Sequence, residues 1–150
     1  MQWEKILIAV ENFDATKRAV KYVGTMIGGR TEPQITLLHV YPEPPPNFYQ
    51  TGGVLQEYKK KKEENARQLL DNARTKLTES GVASQQIVSQ DRMAEGKTIS
   101  QTILEILQDG EYGTVVVGKR GVSKAEEFLF GSISNALVHS SGDFTVWVVG

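Results

Sequence analysis

The chain has 150 residues, the usual size of one domain and long enough to bury a hydrophobic core. Hydrophobic residues make up 39% and charged residues 23%, which is within the range of globular proteins. The 17 basic and 18 acidic residues nearly cancel, so no broad field would attract nucleic acid or an anionic membrane. We therefore predict one domain over residues 1–150, without a nucleic-acid or membrane partner.

Cysteine is absent, which excludes a disulfide framework, a thiolate metal site and a cysteine nucleophile. The N-terminal segment has neither the apolar region nor the cleavage site of a signal peptide, and no apolar run approaches the roughly 18 residues that span a bilayer. His39 and His139 have no paired spacing that would indicate a metal site, so we interpret one as a core residue and the other as a surface residue. We expect a soluble, cytoplasmic protein.

Apolar segments bounded by turn residues predict five strands, because strands covered on both faces form nearly continuous apolar runs. These strands are Ile6–Val10, Ile35–Tyr41, Gln86–Met93, Thr114–Val117 and Thr145–Val149. Gln86–Met93 is the exception to the apolar pattern, since only Ile87, Val88 and Met93 are apolar in it. Between them, helical spacing predicts four helices. The first follows Asn12 and Asp14, which can cap it, and has Ala19, Tyr22, Val23, Met26 and Ile27 at its apolar positions. The second is Val54–Thr78, and the fourth is Ser132–Ser140. The third carries Ile99, Ile103, Ile106 and Leu107 at helical spacing.

This alternation of strand and helix predicts an α/β fold. We expect a doubly wound, Rossmann-like α/β/α sandwich with a five-stranded parallel sheet in the order 3-2-1-4-5. Ligands of such sheets bind beyond the carboxyl ends of the strands, where the strand order reverses. The loops after the first and fourth strands are therefore the first candidates for a ligand site.

The fourth strand runs into a glycine-rich segment. Gly118-Lys119-Arg120-Gly121 is followed by nine residues and then by Gly131-Ser132, which opens a helix. Glycines let the backbone approach a ligand and present its N–H groups as a concave phosphate site, to which Ser132 and Ser134 can add hydroxyl donors. Spacing alone leaves a second interpretation equally open, in which Gly118 and Gly121 turn the chain and Ser132 caps a helix.

The spacing of these glycines resembles the ATP-binding motif of universal stress proteins. KILIAV, LLHV, VVVGKRG and LFGSIS also resemble the family consensus in the same order, so the resemblance covers essentially the whole chain. It implies phosphate and ribose contacts at Gly118, Gly121, Gly131, Ser132 and Ser134. It also implies that the backbone of Val40 meets the adenine, beside Ala9 and Val10, and that Val117 and Ile133 belong to the same site.

Two segments depart from the family pattern. Glu11-Asn12-Phe13 stands where the family usually has an aspartate, often followed by Gly-Ser, and Gly142–Thr145 replaces the usual Pro-Val at the last strand. Glu11 can still accept a hydrogen bond from a ribose hydroxyl, although its longer side chain must fold back. The alternative is that Glu11 is a solvated residue at a strand end.

Two other segments have features of ligand sites. Glu95-Gly96-Lys97-Thr98 does not form a P-loop, because Asp91 stands where that motif needs a glycine. The loop over residues 42–53 is long for a compact domain. Phe48 or Tyr49 could fold over a ligand, or the loop could be disordered.

The resemblance implies a module that binds ATP, with Mg²⁺, and acts in a stress response, and it implies a homodimer formed through the edge strand Thr145–Val149. We expect no catalytic residue. The alternative is a slow ATPase or autophosphorylating enzyme that uses the same site, with Glu11 and Asp14 as the nearby carboxylates. A third possibility, an interaction protein with an empty site, is disfavoured because the glycine pattern is intact.

Overall fold

The computed structural model describes residues 1–119, 132–140 and 142–150, apart from the side chain of Ser132. Strands and helices alternate along the described chain, and a short 3-10 turn at Ser84–Gln86 precedes the third strand. The elements are β1 (Lys5–Ala9), α1 (Asp14–Ile27), β2 (Gln34–Tyr41), α2 (Leu55–Glu79), β3 (Ile87–Met93), α3 (Ile99–Asp109), β4 (Thr114–Gly118), α4 (Ser132–Val138) and β5 (Thr145–Val149).

The five strands form one parallel sheet in the order β3-β2-β1-β4-β5. Helices α1 and α2 cover one face of the sheet, and α3 and α4 cover the other. This arrangement confirms the predicted doubly wound sandwich and its strand order. β1 is central: β2 and β3 lie on one side of it, and β4 and β5 lie on the other. The point where the strand order reverses therefore lies between β1 and β4.

The apolar run of β1 supplies both halves of the core. Ile6 and Ile8 are fully buried in the cluster beneath α1 and α2. Leu7 and Ala9 alternate with them and are buried in the cluster beneath α3 and α4. A central strand of a doubly wound sheet must be apolar at every position, because successive side chains point to opposite covered faces.

The start of α1 differs from the prediction. Phe13 has the extended backbone of an N-cap residue and makes no side-chain cap, while Asp14 is the first helical residue. The prediction that Asn12 or Asp14 caps this helix is therefore wrong, because neither occupies the N-cap position. The Asp14 side chain is exposed and lies 4.0 Å from the ammonium group of Lys17.

The buried face of α1 is also rotated from the predicted one. Tyr22 and Met26 are 46% and 52% exposed, whereas Thr16 and Val20 are buried. The position of the helix explains the difference, since near Tyr22 it faces the sheet edge, where the Tyr22 ring meets partly exposed Trp147 edge-on at 5.9 Å. Tyr22 and Met26 were thus wrongly placed on the core side of the helix.

Gln86 joins two connections at the amino end of the sheet. Its buried side-chain amide donates hydrogen bonds to the carbonyl oxygens of Arg30 and Pro33, at 3.0 and 2.8 Å. Its side-chain oxygen accepts one from the N–H of Ala83 at 3.0 Å. The turn before β3 is thereby fixed to the segment that leads into β2.

The loop over residues 42–53 is packed against α2. The N–H of Phe48 donates to the carbonyl of Pro45, and the N–H of Gly53 donates to the carbonyl of Phe48, both at 2.9 Å. The Phe48 ring lies 5.5 Å from the ring of Tyr58 in the first turn of α2. The loop therefore has a defined structure and is not disordered. Tyr49 is 63% exposed, so whether it folds over a ligand stays a prediction.

Candidate functional site

The carboxyl ends of β1, β2 and β4 lie side by side where the strand order reverses. Ala9, Val40 and Val117 are each at most 2% exposed and belong to one apolar cluster on the face covered by α3 and α4. Ile133 of α4 packs against this cluster, and the next residue, Ser134, is buried. The fold therefore brings four predicted site residues into one cluster, with Ser134 beside it.

Val10 lies on the other face of the sheet, in the cluster beneath α1 and α2. Its N–H donates to the carbonyl of Leu38 at 2.7 Å, and its carbonyl accepts from the Nδ1–H of buried His39 at 2.7 Å. Both backbone groups of Val10 are thus bonded within the protein. His39 is the satisfied core histidine that the sequence suggested, and His139 is exposed.

Glu11 follows Val10 and lines a cavity of about 400 Å³ between α1 and α2. This cavity lies on the opposite face from Ala9, Val40 and Val117. Glu11 is partly buried there, so it is not simply a solvated residue at a strand end. Its predicted hydrogen bond to a ribose hydroxyl stays a prediction.

Gly118 is the last residue of β4 and pairs with Val149 of β5. A Cβ at this position would stand 2.6 Å from the backbone carbon of Ala15 and 2.6 Å from the backbone nitrogen of Thr16. A glycine is therefore needed here because the first turn of α1 packs directly on the strand. This reason differs from both sequence interpretations, which were phosphate approach and a turn out of the strand.

The rest of the predicted phosphate site falls largely outside the described residues. Gly121 and Gly131 lie there, as does the side chain of Ser132, whose backbone opens α4. Lys119, the last described residue before the gap, donates its N–H to the carbonyl of Val149 at 2.6 Å. The phosphate contacts at these positions remain predictions of the sequence.

A second cavity, of about 500 Å³, lies at the carboxyl ends of β2 and β3 and has Tyr41 in its lining. Burial raises the pKa of the Tyr41 phenol, and the carboxylates of Glu63 and Asp91 raise it further, with smaller contributions from Tyr58 and Glu95. The phenol therefore stays protonated at neutral pH and can donate a hydrogen bond. The sequence analysis placed Tyr41 in a buried strand but gave no signal of the surrounding carboxylates, which come from distant segments.

The described residues also bear on a metal site and on a membrane span. Within residues 1–119, 132–140 and 142–150, no three His, Asp or Glu side chains come close enough together to hold a metal ion. In the same ranges, no helix has the length and the apolar character needed to cross a membrane.

Comparisons with known proteins agree with this architecture. The sequence model of the universal stress protein family matches residues 2–150. No curated protein sequence matches the chain. Among solved structures, hypothetical protein MJ0577 superposes with a TM-score of 0.78 and 21% identity, covering 99% of this chain and 96% of that one.

Two other similar structures contain nucleotides. A universal stress protein in complex with cAMP has a TM-score of 0.67 and 16% identity, and the match covers 100% of this chain and 98% of that one. The Archaeoglobus fulgidus universal stress protein in complex with dAMP has a TM-score of 0.64 and 16% identity, with both chains covered completely. At these identities the similarity establishes the shared fold.

Proposed function

Because the chain belongs to the universal stress protein family, we propose that it binds ATP beyond the carboxyl ends of β1, β2 and β4. In this proposal it is a cytoplasmic regulatory module of a stress response, whose conformation or assembly is stabilised by the nucleotide. A ligand that binds only the folded state adds stability by mass action, which suits a sensor.

One observation carries the proposal, namely the shared position of Ala9, Val40 and Val117. These residues lie at the carboxyl ends of three adjacent strands where the strand order reverses, which is where open α/β sheets hold their ligands. Their side chains are buried in the core, so in this proposal it is the backbone at these strand ends that meets the purine base. The complexes of two proteins of the same fold with cAMP and dAMP support an adenine nucleotide as the ligand class.

The phosphate end of the proposed site rests on the glycine motif. Gly121, Gly131 and Ser132 would supply backbone N–H groups to the phosphates, and Mg²⁺ would bind through the phosphate oxygens. ATP is proposed over a monophosphate because the motif offers glycines at both ends of a nine-residue segment. The number of phosphate groups on the bound nucleotide is thus the measurement that tests this part of the proposal most directly.

The proposed role is binding rather than catalysis. Phosphoryl transfer needs a carboxylate to hold the metal or to act as a base. Of the two candidate carboxylates, Glu11 lines the cavity on the opposite face and Asp14 is exposed beside Lys17. These positions support slow or absent hydrolysis, and release of phosphate from ATP at a steady rate would instead favour the enzyme alternative.

The test of ATP binding starts from purified full-length protein. Denaturation should release bound nucleotide, and calorimetric titration should rank ATP above ADP, AMP and cAMP, with and without Mg²⁺. Gly131→Val should abolish binding because its side chain would block the phosphates, whereas Gly150→Val should not change it, because a Cβ at Gly150 would meet no atom within 4 Å. No released nucleotide together with no thermal shift on adding ATP and Mg²⁺ would refute the proposal.

We also propose a homodimer through β5. This strand lies at the edge of the sheet, and its residues from Val146 to Val149 are only partly buried. An edge strand with unpaired backbone groups tends to pair with another chain. Light scattering should give twice the 16.6 kDa of one chain at micromolar concentration, and a monomer mass across that range would contradict the proposal.

A further inference from the structure

We propose that the cavity at the carboxyl ends of β2 and β3 binds a linear organic polycation, a polyamine, one of whose ammonium groups donates a hydrogen bond to the hydroxyl of Tyr41. The cavity has a volume of about 500 Å³. Helix α2 contributes Lys59 and Glu63 to its lining, and the segment that joins β3 to α3 contributes Glu95 and Lys97. The described residues of the lining include none of the proposed nucleotide site, so the inference is independent of ATP binding.

The hydroxyl of Tyr41 is the first reason. Tyr41 is 3% exposed and lines the cavity, and no described residue forms a hydrogen bond with its hydroxyl. By contrast, Tyr58 donates to the carbonyl of Pro42 at 2.5 Å, and Tyr112 donates to Oγ1 of Thr36 at 2.8 Å. The Tyr41 oxygen is not sealed in the core, so a molecule in the cavity can reach it. A ligand that bonds to this hydroxyl would supply the partner that a buried polar group normally has.

The charges of the lining are the second reason, because they favour a cation. Lys97 and Glu105 bond to each other at 2.7 Å, so their charges cancel. The other charged residues of the lining are three acidic and two basic ones: Glu63, Asp91, Glu95, Lys59 and Arg92. Within the described part of the chain, none of these five forms an ion pair. The lining therefore keeps an excess of negative charge that a bound cation would neutralise.

Negative charge is concentrated near the Tyr41 hydroxyl. Burial is the main cause of the raised pKa of this phenol, and the carboxylates of Glu63, Asp91 and Glu95 raise the pKa further. The charged groups that shift this pKa are all acidic, so an ammonium group beside the hydroxyl would be attracted by them. The neutral phenol can accept the hydrogen bond that the ammonium group donates.

The spacing of the carboxylates distinguishes a polycation from a metal ion. No three His, Asp or Glu side chains of the described residues come close enough together to hold a metal ion. The three carboxylates are therefore spread over the lining, where a chain with several ammonium groups can meet them in turn. Partly buried Met93 also lines the cavity and offers apolar surface to the methylene groups of such a chain.

The test uses spermidine as the probe, because short methylene chains join its ammonium groups. Amide NMR and calorimetric titration of the full-length protein should show saturable binding, with shifts at residues 41, 59–63 and 91–105. Tyr41→Phe keeps the ring and removes the hydroxyl, and it should weaken binding about tenfold, because a hydrogen bond to a charged group is lost. Tyr49→Phe, at an exposed tyrosine outside the cavity lining, should leave binding unchanged.

Two variants with the same change in net charge test the location. Glu63→Gln removes a carboxylate of the lining and should weaken binding about threefold, whereas Glu64→Gln, at the next residue of α2 and outside this cavity, should not. Because Glu63, Asp91 and Glu95 are exposed, raising NaCl to about 0.3 M should also weaken binding.

Several results would overturn the proposal. They are the absence of saturable shifts at millimolar spermidine, shifts centred on the carboxyl ends of β1 and β4, and equal shifts with Mg²⁺ in place of spermidine. Equal affinity of Tyr41→Phe and the parent protein, or of Glu63→Gln and Glu64→Gln, would overturn it as well.

Discussion

The contact between β4 and α1 makes Gly118→Ala an informative substitution. The new Cβ would be 2.6 Å from two backbone atoms of Ala15 and Thr16, whereas ordinary contacts begin at 3.4 Å. Neither neighbour is a flexible side chain, so the first turn of α1 must move by nearly 1 Å. Overpacking of this kind costs about 1–3 kcal/mol. A cost of about 2 kcal/mol corresponds to a fall in melting temperature of roughly 4–8 °C for a chain of this size.

Urea and thermal unfolding followed by circular dichroism would measure this loss. Gly150→Ala is the matched control, since a Cβ at Gly150 has no atom within 4 Å, and its stability should stay within about 0.5 kcal/mol of the parent protein. Equal stability of Gly118→Ala and Gly150→Ala would refute the tight contact. The result also bears on function, because a loss of ATP binding in Gly118→Ala alone would not identify Gly118 as a phosphate contact.

Three further outcomes are expected. Thr16→Val should raise the free energy of unfolding by about 1 kcal/mol, because it removes a buried hydroxyl that has no partner among the described residues. Thr114→Val should lower it by about 1 kcal/mol, because the Thr114 hydroxyl donates to the Trp3 carbonyl. Urea titration would compare them, and equal losses would contradict the unpaired state of Thr16. Gln86→Glu should lower the free energy of unfolding by more than about 2 kcal/mol, because a carboxylate cannot donate to the two carbonyls that the amide binds. The same substitution at its exposed neighbour, Gln85→Glu, should lower it little. Similar melting temperatures of the two variants would contradict the buried network. Burial and nearby carboxylates raise the pKa of Tyr41, so the stability that Tyr41 contributes is complete below pH 10 and is lost as pH rises through its pKa in the folded state. Above pH 10, the free energy of unfolding of Tyr41→Phe, measured by urea titration, should therefore fall less steeply with pH than that of the parent protein. An unchanged slope would contradict the raised pKa.

The sequence predicted the sheet well because its signals are local. The runs around Ile8 and Val116 are apolar at every position, which is typical of strands covered on both faces. Right-handed crossovers and the alternation of strands with helices then favoured the observed doubly wound sandwich. Ala9, Val40 and Val117 were assigned to the site by the resemblance to universal stress proteins; the structure places each at the carboxyl end of a strand, and their contacts with a nucleotide stay a prediction.

What the sequence missed depends on contacts between distant segments. Gly118 must be a glycine because it meets Ala15 and Thr16, about a hundred residues earlier, and spacing within the glycine motif carries no trace of that contact. Tyr22 was assigned to the core because helical periodicity does not indicate where the covering sheet ends. The cavity that Glu11 lines between α1 and α2 was missed for a similar reason, as it requires two helices to be placed side by side.

The position of β1 has a consequence for the nascent chain. β1 is synthesised before the other described strands and gains β2 as a neighbour early, but its other neighbour, β4, begins only at Thr114. Until then one edge of a strand that is apolar from Ile6 to Ala9 lacks a partner, and unpaired apolar edges are prone to aggregation. Fragments that end before Thr114 should therefore be insoluble, and productive folding during synthesis must wait until most of the chain has left the ribosome.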